Sequence, residues 1–345
     1  MGCKVSWLVA VCGDMPPGRA QRIDCLTARL AMRPCSVGAV ARVSGPDDPG
    51  GFSAAGTRRT LEVACAAAGL DADDAELMRL GENAIFRLRS VPLVVRIART
   101  VDYLPDVETE VAAARWLESA GFPAVRLAGP ADQPVVADRR AVTFWELVAE
   151  RTEFGTVGEL AVLLRRLHDL APPAGLVLPV LRPFARVDGR IAGADLAEHD
   201  QAFLRGRLAE LRAAYAGLEF VLPGGPIHGD ANVGNIIRRQ ADGVAVLIDL
   251  DGFASGPREW DLVLTAMYFE RFGWHTEQEY ADFVAGYGFD VMTWPGYPVL
   301  RDVRELLMVA WLAQNTREHE RIAAELAKRI ADLRAGDGRR DWAPF

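Results

Sequence analysis

Lysine is nearly missing from this chain of 345 residues. Lys4 and Lys328 are the only two, so almost all of its basic residues are arginines. Abundant alanine, arginine and glycine with so little lysine points to a GC-rich bacterial gene. Cysteine is scarce and lopsided: Cys3, Cys12, Cys25, Cys35 and Cys65 all lie in the first fifth of the chain. Their spacing is irregular and no histidine cluster is near. They support neither a disulfide framework nor a zinc site, and read as free thiols in a reducing cytosol. No apolar run approaches the length of a membrane span. Val5 to Cys12 is apolar but short for a signal segment and lacks an Ala-x-Ala site. Residues 1–6 fit the N-myristoylation pattern, but that needs a eukaryotic acyltransferase, which the composition argues against. The expected location is cytoplasmic, with no membrane partner. Positive charge is not in excess either. The formal net charge is −8, which speaks against a nucleic-acid partner and is compatible with a cationic substrate.

Half of the residues are hydrophobic and a quarter are charged, as in an ordinary soluble globular protein. The length suits one large domain or two modest ones. Residues 1 to about 55 stand apart. They carry Pro16-Pro17 and Pro46 to Gly51 without a sustained period, and read as a disordered extension. Met32 is an alternative natural start. From Thr57 to Leu70 apolar residues recur at helical spacing, with Gly69 as a stop. Glu76–Leu80, Ala84–Leu88 and Leu93–Ala98 have strand character, the first two joined by a tight turn over Gly81-Glu82-Asn83. A helix with Val107, Val111, Ala114 and Leu117 on one face follows. Val125–Leu127, Pro134–Ala137 and Ala141–Phe144 then read as strands completing a small sheet.

The rest is mostly helical: Val157–Leu170, Asp195–Ala216, a buried run Leu262–Tyr268, Glu277–Tyr287, Arg301–Asn315 and Glu318–Arg334. His168 reads as structural, near a helix end. One stretch interrupts this part. Ile227 is followed by His228-Gly229-Asp230, then Asn235 five positions past the Asp, then apolar Ile236-Ile237. The apolar run Val244–Ile248 ends in Asp249, with Asp251 two residues on. This pattern suits phosphoryl transfer. An Asp in a tight loop can accept the proton of a substrate hydroxyl. An Asn and a strand-end Asp can hold Mg²⁺, which prefers few carboxylates plus waters and phosphate oxygens. Positioning and electrostatics then carry most of the rate. A polar turn followed by an edge strand is the plain alternative.

At these residues the chain resembles the aminoglycoside phosphotransferase family, small-molecule kinases of the protein-kinase-like fold. The resemblance implies an α+β, two-lobe architecture with a small antiparallel-sheet N-lobe and a mostly helical C-lobe. The expected division is an extension at 1–55, an N-lobe at 56–145 and a C-lobe at 146–345. It implies ATP, with GTP as the alternative, and Mg²⁺ as cofactors. Asp230 would be the catalytic base, Asn235 and Asp249 the metal ligands, and Asp261 a cap behind the loop. Gly81 and Asn83 would lie in the loop over the nucleotide, and Glu146 and Leu147 at the adenine hinge. Trp145, beside them, reads as core. Where the family has lysine this chain has Arg96, with Glu110 as its expected helix partner and Glu108 as the alternative. Arg is a planar fork rather than a point charge, yet can bind phosphate bidentately.

The expected acceptor is a small hydroxylated molecule such as an aminoglycoside or amino sugar, and the expected assembly is a monomer or homodimer. Carboxylates between Glu259 and Glu320, with Trp260, Trp274, Trp294 and Trp311, would suit a cationic sugar. Solvated helix faces and core tryptophans are the simpler reading. Two other functions stay open. One is a catalytically weak or inactive nucleotide-binding regulatory protein, for which Arg96 is the main support. The other is a protein kinase, disfavoured because only twelve positions separate Asp249 from Asp261.

Overall fold

The computed structural model describes residues 51–314, 320–336 and 338–343. The expected disordered segment therefore lies outside the described residues up to residue 50, as do Cys3, Cys12, Cys25, Cys35 and Met32.

The first described element is the helix α1 (Ala54–Ala68). The side chain of Ser53 accepts the N–H of Gly56 at its start, and Gly69 closes it in the left-handed conformation at φ 69°, the usual way for glycine to satisfy the last carbonyls. Strands β1 (Glu76–Leu80), β2 (Asn83–Leu88), β3 (Leu93–Ala98), β4 (Val135–Ala137) and β5 (Arg140–Glu146) form one sheet in the order β1-β2-β3-β5-β4. Every pairing in it is antiparallel. Asn83 is not a turn residue as expected; it opens β2, opposite Ala98. Between β4 and β5 the two linking residues, Asp138 and Arg139, both have positive φ (46° and 58°), the twist that a two-residue hairpin requires.

β3 is buried along its whole length. Apolar residues of α1 (Leu61, Ala64, Cys65) close over Phe86, Val95 and Phe144. Burial pushes the Cys65 thiol up to about 11, so it stays protonated and inert. The helix α2 (Leu104–Ser119) buries Val107, Glu110, Val111, Ala114 and Leu117. Trp145 is fully buried, its indole N–H donating to Thr143, as the core reading expected.

The expected strand Val125–Leu127 does not form as such. Its residues make isolated bridges because they change partner: Val125 N–H donates to Leu247, Arg126 C=O accepts from Glu146, and Ala128 N–H donates to Phe144. The short strands β7 (Ile236–Arg238) and β8 (Ala245–Leu247) pair with each other. The chain divides into two compact units. Residues 237–251 group with the sheet-bearing part, residues 51–154, while residues 155–236 and 252 onward form the helical part.

The helical unit contains α3 (Val157–His168), α4 (Val187–Gly193), α5 (Glu198–Ala216), α6 (Glu259–Glu270), α7 (Glu277–Tyr287), α8 (Tyr297–Ala313) and α9 (Glu320–Ala335), with a two-stranded pair β6 (Gly225–Ile227) and β9 (Ala254–Gly256). α3 and α7 each begin with a Thr–Glu capping box. α6 is buried from Glu259 to Tyr268. No helix among the described residues is long and apolar enough to cross a membrane.

Candidate active site

In the sheet unit, Arg96 of β3 is buried and hands one guanidinium nitrogen to both carboxylate oxygens of Glu110 at 2.6 Å. The other nitrogen reaches Asp251 at 3.2 Å. With its amide oxygen turned inward, Asn83 also accepts from Arg96, at 2.9 and 3.0 Å. Burial opposes the charge of Arg96, but Glu110, Asp251 and Asp249 outweigh it and hold its pKa above the ordinary arginine value. Of the two glutamates considered, Glu110 is thus the partner. The fork of arginine makes the arrangement possible, since a single ammonium could not face Glu110 and Asp251 with separate nitrogens.

Asp249 follows the buried β8 run and has φ 61° with 2 % exposure. A non-glycine residue in that conformation costs on the order of 1–3 kcal/mol, so surrounding structure must hold it there. Gly81 accepts through its carbonyl from Arg99 at 2.9 Å. At the expected hinge, the N–H groups of Glu146 and Leu147 are both taken within the unit, by Arg126 and Pro92.

In the helical unit, β6 delivers the loop that carries Asp230. Gly229 has φ 86°, and a Cβ there would lie 2.1 Å from the carbonyl oxygen of Gly252, so only glycine fits. Asp261, in the first turn of α6, clamps the loop from behind. It accepts the N–H groups of His228 at 2.7 Å and Gly229 at 2.8 Å, and that of His168 Nε2 at 3.1 Å. Burial would raise the Asp261 pKa, but the hydrogen bond from His168 and the nearby imidazoles outweigh it and lower it. The other ring nitrogen of His168 meets the Tyr287 hydroxyl at 2.8 Å. Burial raises the pKa of that phenol and keeps it protonated. His168 is the structural residue expected from its place at a helix end.

The Asp230 main-chain carbonyl is gripped by two amides, Asn232 at 3.0 Å and Asn235 at 2.8 Å. The side-chain oxygen of Asn235 is buried and has no hydrogen-bond partner among the described residues. An orphaned buried acceptor is costly, and a divalent cation would satisfy it. An amide oxygen is a hard donor, of the kind that fits Mg²⁺ and does not suit a soft metal.

Two residues stand behind Asp230, Trp260 as a core tryptophan in keeping with the simpler reading and Arg304, which the sequence reading did not single out. Trp260 is fully buried and donates its indole N–H to the Gly229 carbonyl at 2.9 Å. Arg304 of α8 is 1 % exposed and lies over the Trp260 ring at 3.9 Å. It donates to the carbonyls of Gly229 and Trp260 at 3.0 and 3.1 Å, and another of its nitrogens stands 3.7 Å from Asp230 Oδ1. A signal was available: Leu300, Val303, Arg304 and Leu307 share the buried helical stripe, and a charge there asks for a partner. The tryptophans follow the simpler reading where placed: Trp294 is buried beside Phe220, and Trp274 packs on Tyr268 and Phe272.

The model of the phosphotransferase enzyme family matches residues 79–303, and the chain belongs to that family. The resemblance read from His228 to Asp249 is borne out, and with it the expected enzyme class, a small-molecule phosphotransferase. No curated protein matches the chain. Among solved structures, an amicoumacin kinase in complex with AMP-PNP, Ca²⁺ and Ami is 15% identical, covering 81% of this chain and 94% of its own at TM-score 0.63. A microcompartment-associated aminopropanol kinase is 20% identical, covering 79% and 93% at TM-score 0.58. A choline/ethanolamine kinase family protein from Mesorhizobium loti is 19% identical, covering 81% and 92% at TM-score 0.54. The fold is therefore the expected protein-kinase-like one, an antiparallel sheet followed by a helical part.

Proposed function

We propose that the protein is an ATP-dependent kinase that phosphorylates a hydroxyl of a small, amine-bearing molecule. The observation that carries this reading is the clamped loop. Asp230 is buried, its carbonyl is held by two asparagine amides, and the two peptide groups before it are fixed by Asp261. A carboxylate so held is preorganised to accept a hydroxyl proton while the hydroxyl oxygen attacks the terminal phosphorus and ADP leaves. Asn235 and Asp249 are the groups that would hold Mg²⁺, which when bound supplies neutralisation of the phosphate charge. Arg96, steadied by Glu110 and Asp251, faces the phosphates. Gly81 and Asn83 cover the nucleotide, and Glu146 and Leu147 lie at the adenine edge. With both of their N–H groups already taken, the carbonyl side of that segment does the recognition. In this reading the sheet part binds nucleotide and the remainder carries the acceptor.

Support for the acceptor class comes from the amicoumacin, aminopropanol and choline/ethanolamine kinases of the same fold. The net charge of −8 is in keeping with a cationic acceptor. The test is ADP and GDP release with Mg²⁺ against aminoglycosides, amino sugars and small amino alcohols, with Asp230→Asn as control. Release with one acceptor class that vanishes in the variant, with nucleotide binding kept, is the expected result. Undiminished release by Asp230→Asn removes the base assignment. Nucleotide binding without release for any acceptor would favour the regulatory reading.

A further inference from the structure

Arginine 304 is a buried cation with an unusual set of neighbours. Two carbonyls, of Gly229 and Trp260, take one nitrogen of its guanidinium, and the Trp260 ring lies against its face. The Trp260 indole in turn holds the same Gly229 carbonyl. Ring, guanidinium and peptide therefore form one rigid floor under the loop. From that floor a guanidinium nitrogen stands 3.7 Å from Asp230 Oδ1. That is too long for a hydrogen bond but well within reach of strong attraction in a dry interior. A direct bidentate pair would tie up the lone pairs of the carboxylate. A cation held just beyond that distance biases the orientation of the carboxylate and leaves it able to accept a proton.

We propose that Arg304 is a positioning residue for phosphoryl transfer: anchored by Trp260 and the Gly229 carbonyl, it aims the carboxylate of Asp230 at the acceptor hydroxyl. The inference rests on Asp230 being the proton acceptor, as proposed above. A merely structural brace would cost stability and leave turnover of the folded protein intact. A positioning residue lowers kcat and leaves nucleotide affinity alone, since it acts through Asp230.

The test compares wild type, Arg304→Lys, Arg304→Met, Asp230→Asn and the double variant Asp230→Asn/Arg304→Met. ADP release from Mg²⁺-ATP is followed with choline, 1-amino-2-propanol, spectinomycin, kanamycin and water alone as acceptors. Circular dichroism melts and binding of a fluorescent ATP analogue report folding. Arg304→Met is expected to lower kcat on the order of a hundredfold, with the KM for ATP changed by less than about twofold. Arg304→Lys, which keeps the charge but not the fork, should recover part of that loss. The double variant should be no slower than Asp230→Asn alone, because Arg304 acts through Asp230. If Arg304→Met does not fold, Arg304→Lys carries the same comparison. A folded Arg304 variant with wild-type kcat beside an inactive Asp230→Asn overturns the inference and spares the base assignment. So does a double variant slowed by the product of the two single losses. An Asp230→Asn protein as active as wild type removes the base assignment, and the inference falls with it.

Discussion

His168 donates its Nε2–H to Asp261 across 3.1 Å, and neither side chain reaches solvent. The contact is one of three that Asp261 accepts, the others being the peptide N–H groups of His228 and Gly229. Removing the carboxylate strands three donors at once. Asp261→Ala is therefore expected to lose about 3–5 kcal/mol of stability. His168→Phe leaves the two peptide bonds to Asp261 in place and should cost less. Urea unfolding of the two variants at neutral pH gives the comparison. A smaller loss for Asp261→Ala than for His168→Phe would mean that the loop is held by something other than this carboxylate.

The ion pair of Arg96 with Glu110 is also buried, and its two ends are not equivalent to replace. Arg96→Ala leaves a buried glutamate without its cation and should cost about 3–5 kcal/mol. Arg96→Lys restores a charge for Glu110 but cannot also span to Asp251, so it should recover most of the stability. If Arg96 serves the nucleotide, the lysine variant separates the two roles: the thermal midpoint stays near wild type while the KM for ATP changes. A lysine variant as unstable as the alanine one would show that the Asp251 arm is the stronger structural contact.

How far these arrangements could be read beforehand depends on where each contact lies in the chain. Glu76–Leu80 and Leu93–Ala98 are strands with the expected limits, because alternation and turn residues are local signals. The His228–Asn235 loop and Asp249 stood out because their spacing resembles a family motif, and the family model spans them. The Arg96–Asp251 contact joins residues 155 positions apart, and no periodicity encodes such a distance. The Val125–Leu127 segment misled for a related reason: it looks like a strand and spends its hydrogen bonds on two different partners. Arg304 was passed over because a charged residue inside an amphipathic helix is usually at its wet edge. Here it is on the buried stripe, and only the fold shows that Trp260 and Gly229 are waiting for it.

Gly229 tests the loop geometry most sharply. Its φ of 86° disfavours any side chain, and a Cβ would meet the Gly252 carbonyl oxygen at 2.1 Å, a backbone atom that cannot swing away. Gly229→Ala must shift the peptide that precedes Asp230. If Asp230 is the proton acceptor, a displacement of an ångström there costs on the order of a hundredfold in rate, so ADP release should collapse while nucleotide affinity stays near wild type. Gly243→Ala is the control. It also sits at positive φ, but its Cβ meets nothing within 4 Å, so it should lose only a little stability and keep its turnover. Equal turnover in the two variants would show that the close approach to Gly252 is not what shapes the loop.

His275 gives the protein an acid-sensitive element away from the reacting groups. It is 5 % exposed, lies against Tyr268, and burial lowers its pKa to about 4 from the ordinary 6.5. The charge of Glu279, which raises it, does not offset that burial. Because the folded state holds the imidazole neutral where the unfolded chain would protonate it, the unfolded state binds more protons between about pH 6.5 and pH 4. Stability therefore falls as the pH drops through that window and is unaffected by this group above it. The full effect of a shift of that size is on the order of 3 kcal/mol. Asp261, whose folded pKa is lowered, loses its contribution at still more acid pH, as the pH falls through its folded value. His275→Phe keeps the ring and removes the proton site. Urea midpoints measured from about pH 7 down to about pH 4.5 should fall less steeply for this variant than for wild type. Parallel slopes for the two proteins would mean that His275 is hydrated enough to titrate normally in the folded state.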